Sequence, residues 1–229
     1  MLYPDKFYHI YNRGNNREII FPKDFNYSYF LKKYNQFCSA LFETYAYCLM
    51  PNHFHIAIQV KSEQEIVRQI QTSERSSVKK LKNEKLTDEL LTHFISKEVN
   101  HFFVAFAKAI NKQENRVGSL FQQRFKHDEI DSTEYLINTI RYIHLNPVKH
   151  QFVKSVEDWN HSSYHQLTEH INQTDAVLET ASVLSTETAS VLSPFLAVTK
   201  VLELFGGREN FKFVHQDRNE ILLEKFNED

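Results

Sequence analysis

The chain has only two cysteines, Cys38 and Cys48, and they lack Cys-x-x-Cys spacing. That excludes a disulfide framework or a thiolate zinc site. No uninterrupted apolar stretch approaches the roughly 20 residues needed to span a bilayer, so no membrane partner is expected. The first residues, Met1-Leu2-Tyr3-Pro4-Asp5-Lys6, lack the charged and apolar regions of a signal peptide, and a reducing cytoplasm is the expected location. Strong charge is missing too. The net charge is −2 and the pI about 6.6, whereas proteins that grip duplex DNA through its phosphates usually carry a strongly basic face. What the chain does have, in its 229 residues, is 41% hydrophobic and 14% aromatic content. That is enough for one sizeable core and an appended smaller unit.

His53-Phe54-His55 follows a turn and heads the apolar run Ile56-Ala57-Ile58-Gln59-Val60. On a strand, residues i and i+2 point to one face, so the two imidazoles share a side. Neutral imidazole is the commonest metal-binding side chain, and a rigid strand pre-sets the bite between two of them. An isolated His-x-His is weak evidence, and two surface histidines on a half-buried strand is the plain alternative. Some ninety residues downstream, Leu136, Ile137, Ile140 and Ile143 recur at helical spacing. Ser132 or Asp131 is the expected N-cap, and Pro147 marks a helix end near Asn146. Tyr142 and Asn146 are one turn apart on one face, and Tyr135 falls on that face as well. Such a helix, set beside the strand, would bring a phenol and a carboxamide to a pair of imidazoles. The ordinary alternative is a core tyrosine whose hydroxyl is hydrogen-bonded.

Met50-Pro51-Asn52-His53-Phe54-His55 together with Tyr142-Ile143-His144-Leu145-Asn146-Pro147-Val148 resembles the single-tyrosine HUH transposases, in particular the REP-associated tyrosine transposase branch. Tyr8 to Gly14, Gly118 to Lys126 and Trp159 to Tyr164 agree in the same order, so the likeness runs over roughly residues 3 to 167. The resemblance implies that His53 and His55 are metal ligands, Asn146 a third ligand and Tyr142 the nucleophile. It implies nicking and rejoining of hairpin-forming single-stranded DNA through a covalent 5′-phosphotyrosine, with a free 3′-hydroxyl released. It allows both a homodimer that exchanges the tyrosine helix and a self-sufficient monomer. A divalent cation would neutralise charge at the phosphoryl group. Phenol ionises more readily than an alcohol and can leave again, so the link is reversible. Two imidazoles, an amide oxygen and waters suit Mg2+ or Mn2+, with zinc left open.

The coarse order of elements is strand (6–12), helix (24–40), strands (43–49 and 54–60), helical pieces over 63–113, strand and connection (120–130), then the tyrosine helix. This is the split β-α-β-β-α-β plan of an α+β, ferredoxin-like (RRM-like) antiparallel sheet, with helices covering one face. Residues 1–170 would form the transposase-like domain. Residues 171–194 would be a low-complexity linker holding the repeat Glu179-Thr180-Ala181-Ser182-Val183-Leu184-Ser185, and 195–229 a C-terminal helical extension. Arg13, Arg116, Arg124, Lys126 and Arg141 are candidate phosphate contacts, although a charge run of this density is usually a solvated face. Tyr8, Tyr11, Phe121 and Phe125 are candidate stacking groups for unpaired bases. Two other readings stay open. One is a non-cleaving nucleic-acid-binding regulator on the same fold. The other is a metal-dependent hydrolase with a water nucleophile, which would need carboxylates near the histidine pair.

Overall fold

A computed structural model describes residues 1–72, 87–122, 124–169 and 195–216. The expected linker with its repeat, residues 73–86 of the expected helical pieces and residues 217–229 of the expected C-terminal extension lie outside these residues. The elements, in chain order, are β1 (Phe7–Arg13), α1 (Phe25–Cys38), β2 (Phe42–Met50), β3 (His53–Val60), α2 (Glu63–Thr72), α3 (Asp88–Gln113), β4 (Lys126–Ile130), α4 (Thr133–Lys149), α5 (Tyr164–Glu169), α6 (Val198–Leu204) and α7 (Arg208–Gln216). The fold is α+β, with a four-stranded antiparallel sheet in the order β2-β3-β1-β4.

Side-chain alternation divides the two central strands between two cores. Phe54, Ile56, Ile58 and Val60 of β3 join Tyr8 and Ile10 of β1 beneath α1 and α3, against Phe30, Tyr34, Phe102 and Phe106. The opposite face of the sheet offers Ala46, Cys48 and Ala57, and it receives Leu136, Ile140 and Ile143 of α4. The sheet is therefore covered on both faces, where covering of one face was expected. The reason is that the centre of the second face carries small or polar residues, Ala46, Cys48 and Ala57 beside His53 and His55, which read in sequence as a solvated side. The small size of the first three also lets α4 lie close on β2 and β3.

Local chemistry sets the ends of α4. Ser132, in an extended conformation, accepts a hydrogen bond from the Tyr135 amide and is the N-cap. The helix does not stop near Asn146: Pro147 lies inside it. Proline gives up its own N–H bond but its fixed φ is helical, and the last turn closes through the His150 amide on the Asn146 carbonyl. At the end of β1, Gly14 donates its amide to the Asn52 carbonyl, which ties the β1 exit to the turn before His53. A Cβ on Gly14 would collide with the Glu18 carbonyl oxygen, so this close approach requires glycine.

The C-terminal segment returns to the edge of the sheet. Thr44 donates its amide to the Phe195 carbonyl and accepts from the Ala197 amide, while the Leu49 amide donates to the His161 carbonyl and the Ser163 amide to the Tyr47 carbonyl. Strand β2 is thereby covered at both ends, which removes an exposed edge. Helix α7 is anchored by a buried chain of donors. His215 Nδ1 donates to the Phe211 carbonyl, so its Nε2 accepts from His144 Nδ1 at 2.9 Å. His144 Nε2 then accepts from the Ser163 hydroxyl at 2.8 Å. Burial lowers His215 to about 4 and holds His144 well below its ordinary value. Below about pH 6.5 the unfolded chain takes up protons that the folded chain refuses, so stability falls with pH from about 6.5 towards 4. For His215 alone this amounts to about 2 kcal/mol between pH 7 and 5. Thermal unfolding at the two values should show the loss, and His215→Leu should flatten the slope.

Candidate nucleic-acid and metal site

The β1 end, the β3 start and α4 converge on a cavity of about 290 Å3. His53, His55 and Tyr142 line it, together with Tyr11, Asn12, Arg13, Arg17, Gln122, Lys126 and His150. Three of these are permanent cations and none is a carboxylate. A cavity so lined favours an anion and offers no acidic ligand for a water-activating hydrolase site. Among the described residues, no group of three or more His, Cys, Asp or Glu side chains could hold a metal.

His53 and His55 lie on the same side of β3, with ring centroids 5.2 Å apart. His53 Nδ1 meets Asn52 Oδ1 at 2.7 Å, and the Asn52 amide nitrogen donates to the Arg17 carbonyl. That orientation makes Nδ1 the donor and leaves the His53 lone pair on Nε2. Asn146 Oδ1 sits 3.2 Å from that Nε2, and the fully buried Asn146 amide nitrogen has no hydrogen-bond partner. Two acceptors thus face each other at the spacing of adjacent ligands around a hard cation with bonds of about 2.1 Å. Without a cation, the amide must turn its NH2 to the ring. With one, both lone pairs are used, so the donor set fits a divalent ion.

Burial lowers His53 to about 4, opposed by its Asn146 contact and assisted by His150 and Arg13. His55 is held well below its ordinary value by burial first, then by His9 and His53. Both rings are neutral at neutral pH, the form in which imidazole binds metals. Tyr142 is buried on α4, with its ring edge-on to His55 at 5.5 Å and the Lys149 ammonium 5.2 Å from its centroid. Tyr135, the other tyrosine on that helix face, is half-buried against the core beneath α4 and does not line the cavity.

The candidate phosphate contacts separate. Arg13 and Lys126 line the cavity, and Arg124 lines an adjoining one that shares Asn12 and Gln122. Arg116 is engaged by Glu18 and Asn111. Arg141 acts on His215 of α7 and lines neither cavity. Sequence reasoning singled out neither Asn12 nor Gln122, which line the cavity beside Arg17 and His150. Arg17 lies in a short 3-10 turn that the Gly14 contact folds back towards β3, and His150 caps α4.

Comparison with known proteins identifies the family. Residues 4–100 match the family model described as "Transposase IS200 like". A "Putative REP-associated tyrosine transposase" of Haemophilus influenzae is 30% identical over 138 residues, which is 60% of this chain and 68% of that protein. The chain belongs to the REP-associated tyrosine transposase family. An Escherichia coli K12 "REP-associated tyrosine transposase" is 40% identical over 48 residues, 21% of this chain and 29% of that protein. A solved structure described as "Structure of the REP associates tyrosine transposase bound to a REP hairpin" aligns with a TM-score of 0.47 and 19% identity, covering 84% of this chain and 93% of that one. Membership places this transposase-family chain among tyrosine transposases, and implies metal-dependent catalysis in general terms.

Proposed function

We propose that the protein nicks and rejoins hairpin-forming single-stranded DNA, with Tyr142 as nucleophile and a cation held by His53, His55 and Asn146. The observation that carries the reading is a cavity in which the two β3 histidines and the α4 tyrosine meet three cations and no carboxylate. The Tyr142 hydroxyl gives up its proton and attacks phosphorus, the bond to the 3′ oxygen breaks, and that oxygen leaves as a 3′-hydroxyl. A 5′-phosphotyrosine remains, and attack by a 3′-hydroxyl reverses the step without ATP. Mg2+ or Mn2+, when bound, supplies charge neutralisation at the phosphoryl oxygens. Arg13, Arg17 and Lys126 hold the phosphate, and Tyr11 offers a face for an unpaired base. Hairpin-forming DNA as the substrate rests on membership of the REP-associated tyrosine transposase family.

The sheet is read as ferredoxin-like from its chain order and strand order. Residues 1–170 are read as the catalytic domain, 171–194 as a linker and 195–229 as an extension. No described helix is long and apolar enough to cross a membrane, in keeping with action on DNA in the cytoplasm.

The test is incubation of the full chain with labelled hairpin-bearing single strands and Mn2+. A denaturant-resistant adduct that chelator abolishes is expected. Tight binding with no adduct from any substrate would replace this reading with a non-cleaving regulator.

A further inference from the structure

His9 is fully buried on β1 and does not line the cavity, so the chemistry proposed for the site leaves it without a task. The antiparallel register puts it opposite Ala57, with Tyr11 opposite His55. Alanine at 57 leaves room for the His9 ring to lean diagonally across the strand pair, a distance within reach of large side chains. The ring stacks on His55 with centroids 5.1 Å apart, and His9 Nε2 lies 3.0 Å from His55 Nδ1.

We propose that His9 is a positioning residue that accepts a hydrogen bond from His55 Nδ1 and so commits the His55 lone pair to Nε2 for the metal. The inference rests on the metal site proposed above. In a neutral imidazole one nitrogen carries the proton and the other the lone pair, so the partner of one decides the use of the other. Were His9 Nε2 the donor, His55 would carry its proton on Nε2 and could not coordinate through that atom. The neighbouring ligand is arranged in the same way, with Asn52 Oδ1 accepting from His53 Nδ1 at 2.7 Å. Both strand histidines therefore have Nδ1 engaged by a polar partner that fixes ring orientation and tautomer, the usual support for a ligating histidine. A buried neutral acceptor achieves this without adding a negative charge to a cavity that must admit phosphate.

The test uses the full chain and Mn2+ itself, with affinity read by calorimetry or by the EPR signal of free ion. His9→Leu removes the acceptor and should weaken Mn2+ binding by about 10- to 100-fold, while His9→Gln, which retains an acceptor oxygen, should recover most of the loss. A metal-free readout covers the case in which His9→Leu fails to fold: long-range 1H–15N spectra of the wild type should show His55 protonated at Nδ1. Protonation at Nε2 would overturn the proposal. If His55→Ala loses Mn2+ but a folded His9→Leu binds like wild type, the inference fails and the metal site stands. If His55→Ala binds Mn2+ as wild type does, the metal site fails and the inference with it.

Discussion

Tyr142→Phe should reduce covalent joining to DNA by at least about 10⁴-fold, to the limit of detection, while leaving the fold and DNA binding in place. Phenylalanine keeps the ring that packs edge-on to His55 and removes only the hydroxyl. Loss of one hydroxyl with its hydrogen bonds costs about 1 kcal/mol of stability, too little to unfold a domain with two cores. The discriminating comparison is with the other two tyrosines near the site. Tyr11 lines the cavity from β1, stacked near His55 at 5.9 Å, and Tyr135 lies two turns earlier on α4. Tyr11→Phe and Tyr135→Phe should both form adduct. Filter binding alongside a denaturing gel separates the two functions: Tyr142→Phe binds DNA but forms no adduct.

His53→Ala and His55→Ala should each lower adduct formation by about 10²- to 10⁴-fold, because the charge stabilisation lost with a misplaced cation is worth several kcal/mol. The double variant should be little worse than either alone, since groups that serve one cation act as a unit. Asn146→Asp is the informative third change. It keeps an oxygen at the same place, 3.2 Å from His53 Nε2 in the native side chain, and adds a charge. Metal affinity should be retained or raised. Asn146→Leu removes the oxygen and should lose affinity. His150→Ala is the milder change: the side chain lines the cavity from the exposed end of α4, with its ring 5.1 Å from that of His53. It should alter activity by less than about tenfold. Mn2+ titration alongside the adduct assay checks all of these variants.

How much of this was legible in the chain follows from the strength of each local signal. The strand from His53 and the helix through Tyr142 have clean periods of two and 3.6, so which side chains share a face on each element could be anticipated, while their meeting was implied by the family resemblance. The expected strand over 54–60 is observed as His53–Val60, and the expected helix over 24–40 as Phe25–Cys38. The second covered face was hidden, because Ala46, Cys48 and Ala57 carry little hydrophobic signal, and what they contribute is room for α4. Pro147 misled for a related reason: its sequence signature is a stop, yet its backbone angle suits a final turn. Arg141 reads as a cation near the nucleophile, but it lines neither cavity and its charge is felt by His215 of α7, a segment that returns from far along the chain. Nothing local encodes such a return. His9 was equally opaque: its diagonal contact depends on strand register, which no single strand contains.

The most direct test of the central claim is mass spectrometry of the protein–DNA adduct after nuclease and protease digestion. The expected result is a nucleotide phosphate on the peptide containing Tyr142, attached through the 5′ side of the cleaved strand and absent when metal is chelated. A nucleotide on Tyr11 or Tyr135, or a 3′ linkage, would contradict it.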